Sequence, residues 1–516
     1  MGSGQSVQAE NAMEQRVIDQ LRAMRMEDKL RQQEVEKEYI HVDNEKVLPR
    51  TYSSDPTVSL SQAEEWEKTL LAVPKNKLAL SALLTNDVDA IVSQKVDTFV
   101  DTQTFNVKIP FEGAPITNQR SSGRCWLFAT TNVHRVAIMK KHNLKDFELS
   151  QSYLFFWDKL EKANWFLEQI IDTTEQDLDS RLVQELLKAP VNDGGQWDMA
   201  NNIVYKYGLV PQSLYPDSYN AMASSKMSRL ITSKLRSDAL TIRSLITSSK
   251  CSSSKQKLLA TKARMMQEVH CILTLMLGPP PKPDQEFTWE YYDADNKYHQ
   301  VRKTPLQLAM ELSSPTLVRS LSGCNVNNLF SLVNDPRHKY LTHMTVDRLG
   351  NVVGGNRPIT YVNVDMATMK RATIKTLKAG IPVFFGSDVG KFSNSASGIM
   401  DTKLFDYDLA FGSGNGSLQM SKSQRLRVGE SQMTHAMVLT AVQIDEKTGK
   451  SIRWRVQNSW GENAGSKGWF VMTDDWMDEF VYQVVVDPSF VEKEVRDALN
   501  QEPMVLPLWD PMGALA

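Results

Sequence analysis

The sequence predicts an α+β fold, because helical patterns dominate the first part of the chain and strand patterns the last part. Before about residue 280, apolar residues recur at helical spacing in several segments, and the stretch LGPPPKPD ends that region. After it, aromatic and β-branched residues form short runs separated by turn residues. The length of 516 residues leaves room for more than one domain.

The first predicted elements are helical. Residues 10–40 are rich in Glu, Arg, Lys, Gln and Leu, which predicts an exposed helix or a mobile arm. Residues 61–64, SQAE, fit a capping box that leads into the helical WEKTLLAV. Residues 86–95 are also predicted to be helical, and residues 102–115 to be extended and to end in loops that contain proline.

Three predicted helices follow, and the first of them begins at a cysteine. The first runs from Cys125 to about Lys141 and has basic residues near its end, where the helix dipole favours them. A second covers residues 149–162 and is opened by Ser150, a residue type that caps helices well. Residues 193–198, DGGQWD, predict a turn followed by a third helix.

A basic segment lies between residues 221 and 266. Its one acidic residue before Met266 is Asp238, and apolar positions recur among the charges at helical spacing. The segment therefore predicts basic amphipathic helices. Its basic residues are Lys226, Arg229, Lys234, Arg236, Arg243, Lys250, Lys255, Lys257, Lys262 and Arg264.

Strand patterns begin after this segment. Residues 287–301, FTWEYYDADNKYHQV, predict a strand, a turn and a strand. The DADN in the turn resembles the start of a calcium loop, but Tyr298 replaces the required glycine and Thr304 the required glutamate, so no metal site is predicted. GNVVGG, residues 350–355, is a glycine turn without the Lys-Ser/Thr of a phosphate-binding loop.

The last part of the chain is predicted to be mostly strands. Residues 369–379 predict a helix, and IPVFFGSDV predicts a buried strand. THAMVLTAVQID, WRVQNSW and GWFVMTDD then predict three consecutive antiparallel strands.

Composition limits the class of protein. The chain is 41% hydrophobic and 23% charged with a net charge of −2, which excludes a uniformly basic nucleic-acid binder but not a local basic patch. Four cysteines in this length are too few for a disulfide scaffold and favour a reducing compartment. The longest apolar run, residues 271–277, is too short to span a bilayer, so we predict a cytoplasmic protein. MGSGQS fits an acceptor for myristoylation at Gly2, or matches it by chance or as a cloning remnant.

Cys125 is the first candidate for chemistry. A thiol at a helix N-terminus meets the positive end of the helix dipole and free N–H groups, which favour the reactive thiolate. The alternative is a buried structural cysteine, the usual state of a free cysteine. Redox regulation is a weaker alternative, because no resolving cysteine lies near Cys125 in the sequence.

Three further residues fit a nucleophilic site. The carboxamide of Gln119, six residues before Cys125, could donate to an oxyanion together with the Cys125 backbone N–H. His435 opens an apolar strand and could present its imidazole to a cleft, although such a histidine is often a packed core residue. Asn458 could orient that imidazole while Trp460 shields the bond between them, which gives the Cys–His–Asn form of a catalytic triad.

These motifs carry a resemblance to a known family. The Gln-to-Cys-Trp spacing, the TH-A strand and NSWG with its trailing GW resemble papain-type cysteine peptidases. Arg124 follows Gly123 here, so the first cysteine of their Cys-Gly-Ser/Ala-Cys-Trp signature is absent. His435 lies 310 residues after Cys125, against roughly 130–150 in that signature, and the basic segment and the LGPPPKPDQEFTWEYYD region supply the extra length.

The full combination is similar to the bleomycin hydrolases, which are intracellular aminopeptidases of the papain superfamily. It consists of NQRSSGRCWLFA, LSQSYLFFWDKLEKAN, DGGQWDM, FTWEYYD, GNVVGG, MTHAMVLTAV, VQNSWG and the terminal PMGALA. The resemblance extends from about residue 59 to the C-terminus and leaves the first 58 residues outside.

The resemblance implies a role for each site residue. Cys125 would be the nucleophile, His435 the general base and acid, Asn458 its orienting residue and Gln119 the oxyanion donor. Trp460 and the chain end would contact substrate, and that end is formed by Leu515 and Ala516. No metal or cofactor is implied. The expected activity is removal of N-terminal residues from peptides, with hydrolysis of the bleomycin amide and of homocysteine thiolactone.

The resemblance also implies an architecture. It predicts a papain-like core of a helical half and an antiparallel, barrel-like β half, assembled into a homohexamer with a central channel. The predicted divisions are a variable arm (1–58), a helical subdomain (59–215), an inserted segment (216–335), a β subdomain (336–490) and a C-terminal arm that reaches the active site (491–516).

Nucleic-acid binding through residues 221–266 is the alternative function. The segment has almost no aromatic residues for base stacking, so such binding would be electrostatic, weak and independent of sequence. A solvated helix face or a contact between subunits would explain the same charges.

Overall fold

The computed structural model describes residues 57–94, 103–248, 253–320, 324–355, 357–412 and 416–515. The predicted arm at residues 10–40 and the Gly2 acceptor lie outside these ranges. The chain separates into two compact units, Met1–Thr85 and Asn86–Ala516. The finer division into subdomains and arms stays a prediction.

In the first unit, the described residues form the helices Leu60–Ala72 and Pro74–Leu83. The capping box was predicted two residues too late. Ser59, which has an extended backbone, accepts the Gln62 N–H, and the Gln62 side chain returns to the Ser59 N–H. Ser61 therefore lies inside the helix instead of capping it.

The second unit contains the remaining helices. The prediction at 86–95 shrinks to one short helix, and Asp87 caps it through the Asp89 N–H. The α-helices are Val88–Val92, Cys125–His142, Gln151–Asp172, Arg181–Lys188, Trp197–Tyr207, Tyr219–Met222, Ser225–Ser248, Ser253–Leu277, Pro305–Met310, Pro315–Ser320, Met366–Lys378, Tyr407–Phe411, Lys422–Val428, Asp474–Phe480 and Lys493–Ala498.

Most strands of this unit belong to one mixed sheet, and a separate hairpin pairs Phe287–Tyr292 with Tyr298–Lys303, as predicted. Neighbouring strands of the sheet follow the order Met504–Leu506, Thr342–Val346, Tyr361–Asn363, Phe330–Val333, Val481–Val486, Val383–Ser387, His435–Ile444, Ser451–Gln457, Trp469–Thr473, Ile399–Met400 and Ser393–Asn394, and Val107–Lys108 pairs with His435–Ile444.

The three consecutive strands predicted near the C-terminus are confirmed. His435–Ile444 pairs antiparallel with Ser451–Gln457, which pairs antiparallel with Trp469–Thr473. Parallel pairs also occur, such as Phe330–Val333 with Tyr361–Asn363. The start of the first of the three strands and the end of the second therefore lie at the same edge of the sheet, which brings their flanking residues together.

Two apolar cores hold this unit together. One is formed mainly by the helices and includes Trp126, Tyr153 and Trp197. The other lies between the sheet and the helix Met366–Lys378 and includes Trp454 and Phe480. Ala436, next to His435, belongs to the helical core, so the strand that carries the histidine packs on the Cys125 helix. In the described ranges, no helix is long and apolar enough to cross a membrane.

Candidate active site

Cys125 is the first residue of the helix Cys125–His142, as the sequence predicts. Its side chain is buried, and the backbone N–H groups of Ala436 and of the helix start donate to the sulfur. The Ala436 contact places the sulfur beside the start of the His435 strand. Cys271 is exposed and Cys324 is buried, and neither has a comparable setting among the described residues; Cys251 lies outside them.

His435 and Asn458 form the pair that the sequence predicts. The His435 ring nitrogen Nε2 lies 2.9 Å from Asn458 Oδ1. The same oxygen accepts the Ser459 backbone N–H at 2.8 Å, which supports its assignment as the acceptor. The imidazole therefore carries its proton on Nε2, and Nδ1 remains as its basic nitrogen.

Trp460 covers this pair. Its ring lies 4.8 Å from the His435 ring, centroid to centroid, with 31° between the planes. Asn458 is fully buried and His435 is nearly so. Because water cannot reach the bond between them easily, the asparagine can hold the imidazole in one tautomer and one orientation.

Gln119 is tied to the Asn458 loop. Its backbone N–H donates to the Ser459 carbonyl at 2.8 Å, and its Oε1 accepts the Ser459 hydroxyl at 2.7 Å. Its Nε2 donates one hydrogen to the Ser122 carbonyl at 2.6 Å. The second hydrogen on Nε2 is then available for an oxyanion. Gln119, His435 and Asn458 thus belong to one connected site beside Cys125.

Burial opposes the thiolate that the helix N-terminus favours. Burial raises the pKa of the Cys125 thiol to about 11, although backbone N–H groups oppose this shift. Burial also lowers the pKa of His435 to about 4. Burial therefore favours the neutral form of both groups, because the lost hydration outweighs the favourable effect of the helix N-terminus.

Sequence reasoning missed the role of Arg124. This side chain is fully buried one residue before Cys125, and it pairs with both Asp217 oxygens at 2.9 and 3.0 Å. Its Nε also donates to Ser122 Oγ at 2.9 Å. A buried, bidentate pair of this kind fixes the loop that enters the Cys125 helix. The Arg124 position was visible in the motif, but Asp217 lies far away in the sequence and carries no signal there.

The chain end folds back onto other parts of its own unit. Met504–Leu506 pairs parallel with Thr342–Val346, and Asp510 binds Arg337 at 2.7 Å. Met512 is buried, and Leu515 packs partly buried on the helical core to which Cys125 belongs. Ala516 lies outside the described residues. A contact between the chain end and substrate therefore stays a prediction.

The basic segment forms the helices Ser225–Ser248 and Ser253–Leu277, as predicted. Several of its charges are used within the chain: Lys234 binds Asp238 and Glu268, Lys262 binds Glu168, and Arg236 and Arg243 donate to backbone carbonyls. These contacts reduce the charge available to a polyanion. Nucleic-acid binding stays a prediction without a structural observation in its favour.

Comparison with known proteins identifies a family. Residues 57–513 match the model of the peptidase C1-like family. Cysteine proteinase 1, mitochondrial, from Saccharomyces cerevisiae (strain JAY291) is 42% identical over 91% of this chain and 95% of its own length. Bleomycin hydrolases from Rattus norvegicus and Homo sapiens are each 44% identical over 86% of this chain and 95% of their own lengths.

A solved structure agrees with these relatives. PepW from Lactobacillus rhamnosis is 40% identical and superimposes with a TM-score of 0.81, covering 89% of this chain and 99% of its own. This similarity supports the predicted papain-like α+β core. The predicted resemblance to bleomycin hydrolases and the cysteine-peptidase class are confirmed.

Proposed function

This chain belongs to the peptidase C1-like family and is a cysteine peptidase of the bleomycin-hydrolase type, and from that premise we propose an aminopeptidase that works through Cys125, His435 and Asn458. The observation that carries the proposal is the His435–Asn458 bond of 2.9 Å at the strand start that supplies an N–H to the Cys125 sulfur. It leaves one ring nitrogen of His435 free to act as a base on that side.

The first step is attack on the scissile carbonyl. The Cys125 proton moves to His435 Nδ1 as the sulfur forms a bond to the carbonyl carbon. Asn458 stabilises the resulting imidazolium through its side-chain oxygen on Nε2. Since burial favours the neutral thiol and imidazole, the proton moves to His435 as the sulfur attacks the carbonyl and not before.

The oxyanion forms next to two donors. The free hydrogen of Gln119 Nε2 and the Cys125 backbone N–H at the helix start bind the negative oxygen. The Gln119 amide is oriented before substrate arrives, because Ser459 and Ser122 hold its two ends. Because the amide is already oriented, it has to reorganise little when the transition state forms.

The intermediate then collapses and the acyl group is released. The C–N bond breaks, the leaving amine takes the proton from His435, and the acyl group remains as a thioester on Cys125. A water molecule attacks the thioester while His435 removes its proton, and the free acid and the thiol are regenerated. The same sequence hydrolyses the side-chain amide of bleomycin, the substrate in the names of the 44% identical relatives.

Restriction to N-terminal residues is assigned to the chain end. Leu515 lies against the core that contains Cys125, and Ala516 follows it in the sequence. A carboxylate in the cleft would bind the free amine of a substrate and block longer upstream segments. The homohexamer and thiolactone hydrolysis rest on the family resemblance alone. The cytoplasmic location rests on the cysteine usage and the apolar pattern of the sequence, and one relative is named mitochondrial.

The test compares an aminoacyl fluorogenic substrate with its N-acetylated form. We expect efficient turnover of the free amine, poor turnover of the blocked form and no turnover by Cys125→Ser, because a serine hydroxyl is too weak an acid to replace the thiol. Thermal unfolding of Cys125→Ser provides the folding control. Equal turnover of both substrates contradicts the aminopeptidase assignment, and an active Cys125→Ser contradicts the nucleophile.

A further inference from the structure

Asp193 lies in the DGGQW turn, which the catalytic steps above do not use. Its carboxylate oxygen Oδ2 accepts the Gly123 backbone N–H at 3.1 Å, and its backbone carbonyl accepts the Trp126 indole N–H at 2.7 Å. Gly123 and Trp126 flank Cys125 on its two sides in the chain. One residue therefore holds the backbone before the cysteine and the side chain after it.

The contact with the catalytic loop is close. A Cβ at Gly123 would lie 2.8 Å from the Asp193 Cβ, a distance that real Cβ atoms do not tolerate. A Cβ at Gly195, two residues after Asp193, would lie 2.5 Å from the Trp126 ring. The glycines at both positions thus let the two chain segments pack directly on each other, without a side chain between them.

Asp193 also has hydrogen-bond partners outside the loop before Cys125. Its Oδ1 accepts Lys159 Nζ at 2.5 Å and Ser228 Oγ at 2.9 Å, and its Oδ2 accepts Ser224 Oγ. Lys159 is fully buried on the helix Gln151–Asp172, and the two serines belong to the segment that lengthens the Cys-to-His interval. The carboxylate therefore joins three elements at the entrance of the Cys125 helix.

Two buried lysines bind the DGGQW turn. Lys159 binds the Asp193 carboxylate, and Lys162 donates to the Asn192 and Gly194 carbonyls and pairs with Asp158 at 2.8 Å. Burial would raise the pKa of Asp193, but Lys159 and the hydroxyl and amide donors hold it well below the usual range. The carboxylate is thus ionised at neutral pH, and its charge opposes ionisation of the Cys125 thiol.

We propose that Asp193 is a positioning residue for the nucleophile: it fixes the Cys125 backbone and links the inserted helix Ser225–Ser248 to the catalytic loop. The proposal rests on the assignment of Cys125 as the nucleophile. The Cys125 N–H is the second oxyanion donor in this mechanism. A shift of the loop therefore reduces the stabilisation of the transition state more than it reduces the affinity for substrate.

The main test is Asp193→Asn, with Asp238→Asn as the matched control. Asp238 is a buried acid on the inserted helix that pairs with Lys234, away from the catalytic loop. An amide offers one acceptor oxygen where the carboxylate uses two, so we expect kcat to fall about 10- to 100-fold with KM changed far less. The control keeps the wild-type kcat.

A second readout separates positioning from general loosening. The rate of Cys125 alkylation by iodoacetamide, followed by peptide mass spectrometry, is measured against pH. Loss of the Asp193 charge should move the midpoint of this profile to lower pH in Asp193→Asn and leave it unchanged in Asp238→Asn. Wild-type kcat, or a midpoint equal to that of the control, would overturn the proposal.

Gly123→Ala tests the positioning role of Asp193 if Asp193→Asn does not fold. The new methyl group pushes the loop away from Asp193 without altering any charge, so kcat should fall while the alkylation midpoint moves less than in Asp193→Asn. Full activity of Gly123→Ala would overturn the proposal. Cys125→Ser separates failure of the proposed function from failure of the positioning role. An active Cys125→Ser contradicts the proposed mechanism. An inactive Cys125→Ser together with a fully active Asp193→Asn contradicts only the positioning role of Asp193.

Discussion

At the residue scale, burial is the main influence on the ionisation of the candidate site. The pKa of Cys125 is raised to about 11 and that of His435 is lowered to about 4, both mainly by burial. The order of these values disfavours a resting ion pair. In the proposed mechanism, oriented donors that act when charge develops therefore matter more than a pre-ionised nucleophile.

Gln119 is the donor whose contribution can be measured most directly. We expect Gln119→Ala to lower kcat by roughly 10²–10³, the range for loss of one oxyanion donor. KM should change little, because the bond strengthens only in the transition state. The measurement is steady-state hydrolysis of an aminoacyl fluorogenic substrate.

Ser459→Ala is the matched control for Gln119. It removes the hydroxyl that holds Gln119 Oε1 but keeps the Nε2 donor, which Ser122 still orients. Its loss of kcat should be clearly smaller than that of Gln119→Ala. If the two variants are equally slow, Gln119 acts through loop structure instead of as an oxyanion donor.

At the element scale, patterns close in sequence were predictable. The helix that starts at Cys125, the Ser150 cap and the three antiparallel strands follow from periodicity and cap chemistry. The first capping box was misplaced because SQAE fits the pattern as well as the actual Ser59–Gln62 pair does. Local chemistry cannot rank two overlapping caps.

Long-range contacts were not predictable from one sequence. The motif residues Gln119, His435 and Asn458 were found because each sits in a distinctive local context. Arg124–Asp217 and Gly123–Asp193 join positions far apart in the chain, and no local pattern in the sequence pairs either acid with the loop before Cys125. Only packing reveals that these acids are largely enclosed and bind the catalytic loop.

Lys422 shows how packing of two elements changes the pH dependence of stability. It begins the helix Lys422–Val428, and its Nζ donates to the Asp478 and Val481 carbonyls at 3.0 and 2.6 Å. Burial lowers its pKa to about 7, although the carboxylates of Asp478 and Glu479 oppose the shift. The unfolded chain therefore binds this proton more tightly than the folded protein does.

The sign of the effect follows from that difference. Between the folded pKa near 7 and the unfolded value of 10.5, the unfolded state holds more protons, so the free energy of unfolding rises with pH. Relative to Lys422→Met, the wild-type protein should gain up to about 1.4 kcal/mol per pH unit across this window and nothing below pH 7. Urea unfolding of both proteins from pH 6 to 9.5 measures the gain.

The exposed Lys375 supplies the control for this prediction. Lys375→Met removes a lysine from the surface of the helix Met366–Lys378, where its side chain is 48% exposed. It should keep the wild-type pH dependence of unfolding. If the free energy of unfolding varies with pH in the same way for wild type and Lys422→Met, the folded protein keeps Lys422 charged and burial does not lower its pKa.

At the scale of the whole molecule, the candidate site draws on regions that are remote in sequence. The loop before the Cys125 helix, the edge of the sheet at His435 and the inserted helix Ser225–Ser248 meet there. The chain end folds onto the same core through Met512 and Leu515. An enzyme that trims single residues needs a fixed distance between the nucleophile and the bound amine, and an anchored chain end can supply it.

The contacts that hold the chain end determine which residues can be deleted without disturbing it. Tyr361 donates to the Met512 carbonyl at 3.4 Å, and Asp510 caps the turn that holds Met512. Deletion of residues 514–516 leaves these contacts intact and removes the tip with its carboxylate. A charge-assisted hydrogen bond to the substrate amine is worth roughly 1.5–3 kcal/mol, so the preference for free over N-acetylated peptides should fall about 10- to 100-fold.

The measurement is kcat/KM for matched free and N-acetylated peptides before and after the deletion. A chain extended by one alanine after Ala516 is the control, because it keeps the arm but moves the carboxylate by one residue. We expect the extension to reduce turnover of free amines, since the amine and the carboxylate no longer meet at the depth that places the scissile carbonyl on Cys125. Internal cleavage of blocked peptides should appear only in the deletion, where the upstream side of the cleft is open. If the deleted enzyme keeps its full preference for free amines, a side chain in the cleft binds the amine and the chain end only covers it.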